Sequence, residues 1–546
     1  MTQTKIPTQA DADILNDNLS ILYGLIRTVK HYLDFVGILP YLRTLKAKGV
    51  RLDSIVVALC VFTMYASNSL NACANWLKDD EVRRLLGFRT KDKVSQRTLN
   101  RAIAILGRNR EGVIVALWEG IKKRFEIDEY DINLDGSSVV LYGPKSEYGE
   151  KGYDKDKNRG RLQVEFMVAQ LASMGIPIYI KPYGGSVSDE AQYRDCVPEL
   201  GGLIGFGDLH ALDELKEESE ENKGAGEPDL MTAVAAVSML GAAIVADNGA
   251  ASESNTKRME NSGFDYLTRV QMNKSDDKRI EDHISDFEYL GDGMFCYAHT
   301  FASSGRTTYL YFSRDLFMRS RHKAEERIER NLRTLDDVRS GKLRKSDFVT
   351  IHGVPWVSVE VKVTAQMSLT PYDWVDKARL VREHMGFRAG FFKLESSRQM
   401  TPEEALRKYR RRVGVEHVIS SLKRITGIKP IRVWNRESVD GCMTLALLAE
   451  AAVAMARHCM DGVSEETSDI VEEDRPKNGP SVKPSKPNSE SIVRSLVHLT
   501  LTKYRSSNGR WKLVTSNWEP ISTEIMTNIR LHEDPKWGNR KVPAQG

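Results

Sequence analysis

The order of strand and helix patterns between residues 128 and 275 is the feature that most limits how this chain can fold. The stretch DEYDINLDGSSVVLYG alternates as a strand does, and RLQVEFMVAQLASMGIPIYIKPYGG predicts two strands joined by a turn at Met174–Gly175. Helical patterns follow, separated by the short apolar strand in GAAIVADNG and by the strand in DYLTRVQM. Three strands followed by alternating helices and strands predict an α/β layer fold.

Helical patterns dominate on either side of this region. Residues 14–125 contain several amphipathic stretches, which predict a helical N-terminal region. A DNA-binding domain and a plain helical bundle both fit these stretches, one of which, SQRTLNRAIAIL, carries basic side chains. Near the other end, residues 401–430 predict one long helix that is capped by Thr401 and stops at Gly427. The apolar stretch SVDGCMTLALLAEAAVAMARHCM predicts a buried helix after it.

The remaining segments have mixed patterns. Residues 276–400 contain a predicted hairpin, a charged helix and further strands, and residues 213–229 form an acidic surface segment. Residues 464–490 are rich in Ser, Pro, Glu and Lys, which predicts a flexible linker. The tail, residues 491–546, has only modest helical and strand patterns.

Composition excludes several classes of protein. The chain has 546 residues, 41% of them hydrophobic and 28% charged, which is typical of a folded protein and not of a disordered one. The six cysteines form no CxxC pair, so we expect a reducing compartment and no zinc site. The longest charge-free apolar stretches are shorter than the roughly 20 residues of a membrane span, so we expect a cytoplasmic protein without a membrane partner. The net charge of +4 says little about nucleic acid.

Four polar residues share one edge of the predicted helix at 401–430. Tyr409, Arg412, Glu416 and Lys423 are separated by 3, 4 and 7 residues, so they lie close together around the helix axis. An apolar face lies beside them and would pack on a core: Val415, Val418, Ile419 and Leu422. The simplest interpretation is an exposed helix with Arg412–Glu416 as an ordinary i,i+4 ion pair, worth only about 0.5 kcal/mol.

Two further carboxylates favour a different interpretation. Asp135 lies in the middle of a predicted strand, where a carboxylate is costly to bury unless it is paired or metal-bound. Asp131 and Asn133 share its face, so alternation cannot choose between Asp131 and Asp135. Asp247 ends the apolar strand AAIVA, at the kind of edge where α/β sheets bind ligands. It could equally cap the following turn.

These acids together have a chemical rationale. Two Mg²⁺ ions about 4 Å apart can activate an attacking oxygen and stabilise a leaving one. Mg²⁺ prefers a few carboxylates together with water and phosphate oxygens. Arg and Lys side chains nearby would hold phosphates. This hypothesis explains why one acid lies among bases: the acid holds metal and the bases hold the DNA backbone.

At these residues the chain resembles the DDE transposases of bacterial and archaeal insertion sequences, in the group with a Tyr-Arg-Glu-Lys signature. The signature Y-x2-R-x3-E-x6-K is matched at every spacing by Tyr409, Arg412, Glu416 and Lys423, downstream of LDGSSV and IVADNG in the expected order. Further residues stand at matching places, namely Gly152, Tyr153, Lys155, Asp156, Arg159 and Gln163. A small departure is Gly136-Ser137 after the first Asp, where Thr is frequent.

The resemblance implies an RNase-H-like core, a mixed sheet flanked by helices, formed by residues 128–275 and 401–463. It implies that Asp135, Asp247 and Glu416 are catalytic and bind two Mg²⁺ ions, for which Mn²⁺ could substitute. Tyr409, Arg412 and Lys423 would contact DNA phosphates near the cleaved end.

The other segments also receive roles from the resemblance. Residues 1–127 would be a helical domain that binds terminal inverted repeats, and 276–400 a β-rich insertion before the last catalytic helix. The expected partners are transposon ends and target DNA, held by a homodimer in the nucleoid. Two alternatives remain: a catalytically inactive or domesticated DNA-binding relative, and a metal-dependent nuclease on the same fold.

Overall fold

The protein forms two compact units in a computed structural model. The first unit comprises Met1–Asp265 and Arg410–Gly546, and the second comprises Tyr266–Tyr409. The structure describes residues 20–141, 146–152, 161–211, 228–339, 348–351, 359–362, 381–382, 384–426, 428, 431–461, 487–505, 511–534 and 541–543.

A mixed sheet forms the centre of the first unit. Its strands lie in the order β4-β3-β2-β5, with β2 antiparallel to β3, β3 antiparallel to β4 and β2 parallel to β5. All nine residues of β3 are buried, which is expected of a sheet covered on both faces. The strands of this unit are β1 (Ser20–Ile21), β2 (Ile132–Val140), β3 (Gln163–Leu171), β4 (Ile176–Gly184), β5 (Ala243–Ala246), β13 (Thr500–Arg505) and β14 (Trp511–Ser516).

Helices flank this sheet, so the predicted mixed sheet flanked by helices is confirmed. The predicted strand pair around Met174–Gly175 is also confirmed, with Gly175 in the left-handed conformation that the turn requires (φ +70°). Helices before the sheet are α1 (Tyr23–Phe35), α2 (Ile38–Thr44), α3 (Leu52–Tyr65), α4 (Leu70–Trp76), α5 (Asp80–Leu86), α6 (Gln96–Arg108) and α7 (Arg110–Arg124). Later helices of this unit are α8 (Asp189–Phe206), α9 (Pro228–Met239) and α10 (Glu253–Asn261).

The second unit combines an antiparallel sheet with helices and a separate pair of strands. The sheet has the order β6-β12-β9-β8-β7, and β10 pairs with β11. Its strands are β6 (Asp265–Val270), β7 (Glu288–Gly291), β8 (Met294–Thr300), β9 (Thr307–Ser313), β10 (Phe348–Ile351), β11 (Val359–Lys362) and β12 (Phe391–Ser396). The helices are α11 (Lys274–Asp282) and α12 (Arg314–Arg339).

The C-terminal part contains the buried helix that the sequence predicts. It holds α13 (Pro402–Arg411), α14 (Val413–Arg424), α15 (Arg436–Asp461), α16 (Ser489–His498) and α17 (Pro520–Glu533). Helix α15 packs against α1, α3 and α6 from the N-terminal region, and against α16 and α17 from the tail. By length and composition, α15 could cross a membrane, but 89% of its apolar window is buried inside the protein, as in the core helix of a globular fold. The bent pair α3 and α4 passes the same test only if taken as one broken span.

One expectation needs correction. The long helix predicted at 401–427 is two helices, α13 and α14, with a break at Arg412, because the Arg411 carbonyl accepts from Asn133 Nδ2 while Val415 N–H bonds the Arg412 carbonyl. Thr401 does cap the first helix through Glu404 N–H. The tail contains helices and strands, as its pattern indicated: β13 pairs with β1 and β14, and α16 and α17 pack on α1. The acidic segment, most of the linker at 464–490, and Tyr153, Lys155, Asp156 and Arg159 lie outside the described residues.

Candidate active site

One guanidinium contacts all three carboxylates that the sequence singles out. The Nη1 atom of Arg412 lies 3.3 Å from Asp135 Oδ2, and its Nη2 atom lies 3.6 Å from Asp247 Oδ2 and 2.5 Å from Glu416 Oε1. The Arg412 side chain is only 10% exposed, whereas those of Asp135, Asp247 and Glu416 are 25%, 46% and 49% exposed. The four residues are called the Arg412 group below. They form an acidic site that is open to solvent around a nearly buried cation.

Strand pairing brings the two aspartates together. Strand β2 runs parallel to β5, with Ile132 opposite Ile244 and Asn133 opposite Val245. Continuing the same register places Asp247, the residue directly after β5, opposite Asp135 in the middle of β2. Side chains at matched positions of neighbouring parallel strands point to the same face, so the register itself explains the meeting of two residues that lie far apart in sequence.

Helix α14 brings the third carboxylate to the same place. Glu416 lies in its first turn, and α14 packs against β2 and β3. Gly414 lies against Gln170 of β3, and a Cβ there would be 2.7 Å from Gln170 Oε1, so a larger residue would have to displace that side chain. The predicted apolar face is confirmed, with these residues all buried: Val415, Val418, Ile419 and Leu422.

The end of α13 is also tied to the sheet. Asn133 Nδ2 donates to the Arg411 carbonyl at 3.0 Å and to Gln170 Oε1 at 3.2 Å. Arg411 forms an ion pair with Glu129 at 2.6 Å. These contacts fix the chain just before Arg412, so the guanidinium is positioned by both neighbouring segments.

The structure also decides between Asp131 and Asp135. Asp131 is almost completely buried, and its Oδ1 accepts a hydrogen bond from Ala243 N–H at 3.2 Å. Asp135 is partly exposed, and its Oδ1 accepts a hydrogen bond from Gly136 N–H at 2.8 Å. Asp131 therefore joins β2 to β5, and Asp135 is the strand carboxylate of the site.

The alternative roles of the other two acids are tested by the same geometry. Asp247 stands at the cap position of a short 3₁₀ turn, Asn248–Ala250, but its side chain makes no capping hydrogen bond. The Arg412–Glu416 pair does form at i,i+4 spacing, yet its arginine is nearly buried and is shared with two more acids. A routine surface ion pair does not describe this arrangement.

The chemical type of these side chains, but not their present spacing, suits a divalent cation. Three carboxylates around one guanidinium leave excess negative charge, and carboxylate oxygens are the ligands that Mg²⁺ and Mn²⁺ prefer. Within the described ranges, no group of three or more His, Cys, Asp or Glu side chains has metal-site geometry. Arg412 supplies the positive charge between these acids instead.

Lys423 and Tyr409, the two other residues of the signature, lie outside the Arg412 group. Lys423 lies in the last turn of α14 and is half-buried, and Tyr409 is the half-buried last residue of the second unit. Their contacts with DNA phosphates stay predictions. The sequence interpretation missed that Arg412 bridges the three acids, and it missed the anchoring role of Asn133. The signal for Asn133 was its position on the same strand face as Asp135.

Residues 205–449 match the family model of the transposase DDE domain. This segment contains Asp247, Arg412, Glu416 and Lys423, whereas Asp135 precedes it. No curated protein matches the chain significantly. Among solved structures, the chain is similar to a piggyBac transposase synaptic complex with hairpin DNA determined by cryo-EM, with 11% identity and a TM-score of 0.35 over 87% of this chain and 80% of that chain. A TM-score this low supports no functional argument, so the family match carries the support for a transposase role.

Proposed function

We propose that the protein is a DDE transposase of an insertion sequence that cleaves DNA at the element's ends and joins them to target DNA. The observation that carries the proposal is the meeting of Asp135, Asp247 and Glu416 at one guanidinium. The match of residues 205–449 to the transposase DDE domain supports it independently of that geometry.

The reaction has two steps on this proposal. Water first hydrolyses the phosphodiester at each element end, which frees a 3′-hydroxyl. That hydroxyl then attacks a phosphodiester of the target by transesterification, so one bond forms as another breaks. Because an element has two ends, we expect a homodimer at which both ends meet, acting on chromosomal DNA.

The residues of the Arg412 group divide this work. Asp135, Asp247 and Glu416 would hold two divalent ions, Mg²⁺ or Mn²⁺, which supply activation of the attacking oxygen and stabilisation of the leaving one. Arg412 balances part of the negative charge of the acids. Once cations occupy the acids, its guanidinium could pair with a phosphate of the DNA. Lys423 and Tyr409 would hold further phosphates of the end being cut.

Cleavage of an element end tests the proposal. The substrate is a duplex that carries the terminal repeat flanking the coding region, incubated with Mg²⁺, Mn²⁺ or EDTA. We expect metal-dependent cutting by the wild type and a loss of roughly 10³-fold or more in Asp135→Asn, Asp247→Asn and Glu416→Gln, with DNA binding retained. The matched control is Glu533→Gln, which removes a similarly exposed carboxylate paired with an arginine, Arg27.

A second function is favoured by one observation. Arg412 already pairs with all three acids, as it would in a relative that binds DNA without cutting it. Repeat-specific binding by the wild type without cleavage in either metal would establish that function and refute the proposal. Cleavage without joined products on a target plasmid would instead indicate a metal-dependent nuclease.

A further inference from the structure

A cleft of about 990 Å³ lies in the first unit, lined by residues outside the Arg412 group. One wall is the exposed side of α6, and the other is the segment Ile431–Asn435 that follows α14. Its lining includes three arginines and an indole, and among its amides are two asparagines that lie near them: Arg97, Arg101, Arg432, Trp434, Asn68 and Asn100. This set of residues is called the Trp434 cleft.

Helix α6 is held rigidly as the first wall. It begins with a capping box between Ser95 and Thr98, which satisfies its first free N–H groups. Its other end packs directly on the backbone of α15, because a Cβ at Gly107 would lie 1.7 Å from the Glu437 carbonyl and one at Gly441 would lie 2.0 Å from the Ile103 carbonyl. The opposite face stays exposed and carries Gln96, Arg97, Asn100 and Arg101.

The second wall is fixed by its backbone. Ile431 N–H donates to the carbonyl of Val140, at the end of β2, at 3.3 Å. The Trp434 carbonyl accepts from Glu147 N–H at 3.0 Å and from Ser146 Oγ at 3.2 Å. Arg432 Nε donates to Asn68 Oδ1 at 3.0 Å, which ties this segment to the loop between α3 and α4. The main chain around Trp434 is therefore anchored on both sides.

The side chain of Trp434 contrasts with this anchored backbone, since the residue is 64% exposed. Tryptophan has a large apolar surface, and an exposed indole on a fixed loop is typical of a binding surface. Arg97 and Arg101 lie one turn apart on the facing helix, and neither has an ion-pair partner in the described part of the chain. Three arginines against Glu147 give the cleft a positive balance.

This chemistry fits one class of ligand. Guanidinium groups bind phosphates, and an indole face stacks on nucleobases whatever their sequence. A base inside a duplex has both faces covered by its neighbours, so only an unpaired or unstacked base can lie on Trp434. We propose that the Trp434 cleft binds a DNA strand, with an unpaired base stacked on Trp434 and adjoining phosphates held by Arg97 and Arg101. The inference rests on the proposed function for its choice of DNA.

Binding to single-stranded DNA in EDTA tests this site without any cleavage. The probe is a fluorescein-labelled 20-nucleotide oligothymidylate, with a duplex of equal length for comparison, and fluorescence anisotropy of the full chain gives Kd at several salt concentrations. We expect Trp434→Ala to raise Kd for the single strand roughly 5- to 100-fold, with much less effect on the duplex. Trp434→Phe should restore most of the affinity, since a phenyl ring also stacks.

The contribution of Arg97 and Arg101 is measured from the salt dependence of Kd. Replacing Arg97 and Arg101 together by Ala should lower the slope of log Kd against log salt by about 1.4, because each phosphate contact on a single strand contributes about 0.7. The matched controls are Trp518→Ala, at a residue that is 41% exposed, and Arg494→Ala on α16; neither residue lines the cleft. Both controls should bind as the wild type does.

Two results would overturn the proposal. One is a Kd for Trp434→Ala within twofold of the wild-type value, or an equal loss in Trp518→Ala. The other is polyglutamate that competes with the oligonucleotide only when Trp434 is present, which would identify an acidic peptide as the ligand. Failure of the transposase proposal is measured separately, as absent cleavage by the wild type in Mg²⁺ or as undiminished cleavage by Glu416→Gln. The Glu416→Gln variant should bind oligothymidylate in EDTA as the wild type does.

Discussion

The Arg412 group in the first unit and the Lys393–Asp276 pair in the second unit are both buried cations with acidic partners, but their charges are balanced differently. Lys393 Nζ lies 2.7 Å from Asp276 Oδ2, and both side chains are nearly inaccessible. Asp276 also accepts from Asn273 N–H at 2.9 Å and lies 3.3 Å from Arg279. The Asp276 carboxylate is therefore paired with two cations and a backbone N–H. In the Arg412 group three acids share one guanidinium and remain partly exposed.

The Lys393–Asp276 pair is typical of charges that stabilise a fold, whereas the Arg412 group is typical of charges that can bind a ligand. In a buried ion pair both charges are balanced and hydrogen-bonded. Removing one partner leaves the other as an unpaired charge in a low-dielectric interior. An open group with excess negative charge gives up stability in order to keep affinity for a cation, which is typical of functional sites. The two kinds of charge should therefore respond differently to mutation, pH and Mg²⁺.

Asp276→Ala should destabilise the second unit by about 3–5 kcal/mol, because Lys393 would be left as a buried charge without its partner. Asp135→Asn should cost the first unit about 1 kcal/mol or less, since its carboxylate is solvated and one of three. Urea denaturation of both variants measures the two losses. Equal losses would show that the Arg412 group is a structural ion cluster of the same kind.

Glu450 is a third case, an acid on α15 that is fully buried beside hydroxyl groups. It accepts hydrogen bonds from Ser421 Oγ of α14 and from Ser489 Oγ at 2.8 Å, at the start of α16. Burial raises the pKa of Glu450 to about 7, against the hydrogen bonds from both serines and the charge of Arg457, which lower it. The neutral acid thus fits the fold better than the carboxylate.

The sign of the resulting pH dependence follows from this raised pKa. The stability that Glu450 contributes is complete below its unfolded pKa of 4.5 and is lost as pH rises through about 7, by about 3 kcal/mol in all. Glu450→Gln should remove this dependence and be more stable than the wild type at pH 8.5. Thermal unfolding at pH 5 and 8.5 measures it, with the exposed Glu490→Gln as control. A wild type whose stability does not fall between these pH values would contradict the prediction.

Arg412→Ala should show whether the guanidinium stabilises the three acids and whether it competes with Mg²⁺ for them. In EDTA the three acids lose their shared cation and repel one another, so we expect a loss of about 1 kcal/mol, moderated by their exposure. Millimolar Mg²⁺ should then stabilise the variant more than the wild type, because an ion that binds only the folded state adds stability by mass action. Thermal unfolding with and without Mg²⁺ measures this, and Arg27→Ala is the control. The same Mg²⁺ shift in both proteins would mean that the acids do not bind the ion.

Lys423→Ala should have the smallest effect. If Lys423 pairs with one phosphate, its loss lowers the salt slope of duplex binding by about 0.9 and weakens binding by the same factor on any sequence. Arg424→Ala, at the exposed neighbouring position, is the matched control. Fluorescence anisotropy on duplexes with and without the terminal repeat measures both, and an effect confined to the repeat would exclude a simple phosphate contact.

Local sequence patterns predicted much of this molecule. The strands around Asp135 and Asp247, the apolar face of α14 and the buried helix α15 all follow from periodicity and capping residues, because these depend on neighbours within a few positions. The same patterns could not predict the interruption at Arg412 or the packing of the tail on α1. Each of those depends on contacts between residues hundreds of positions apart.

The candidate site likewise has features that the local sequence predicts and features that depend on the tertiary fold. The sequence alone indicates which residue types are present and that Glu416 and Lys423 share one side of a helix, since helical periodicity sets that spacing. The tertiary fold places Arg412 at the break before α14. The same fold selects Asp135 and not Asp131 for the site, because the parallel register of β2 and β5 sets Asp135 opposite Asp247 while Asp131 accepts a hydrogen bond from Ala243 N–H. It also decided that one guanidinium serves three acids and that Trp434 faces α6 across a cleft, since both follow from pairing between distant segments.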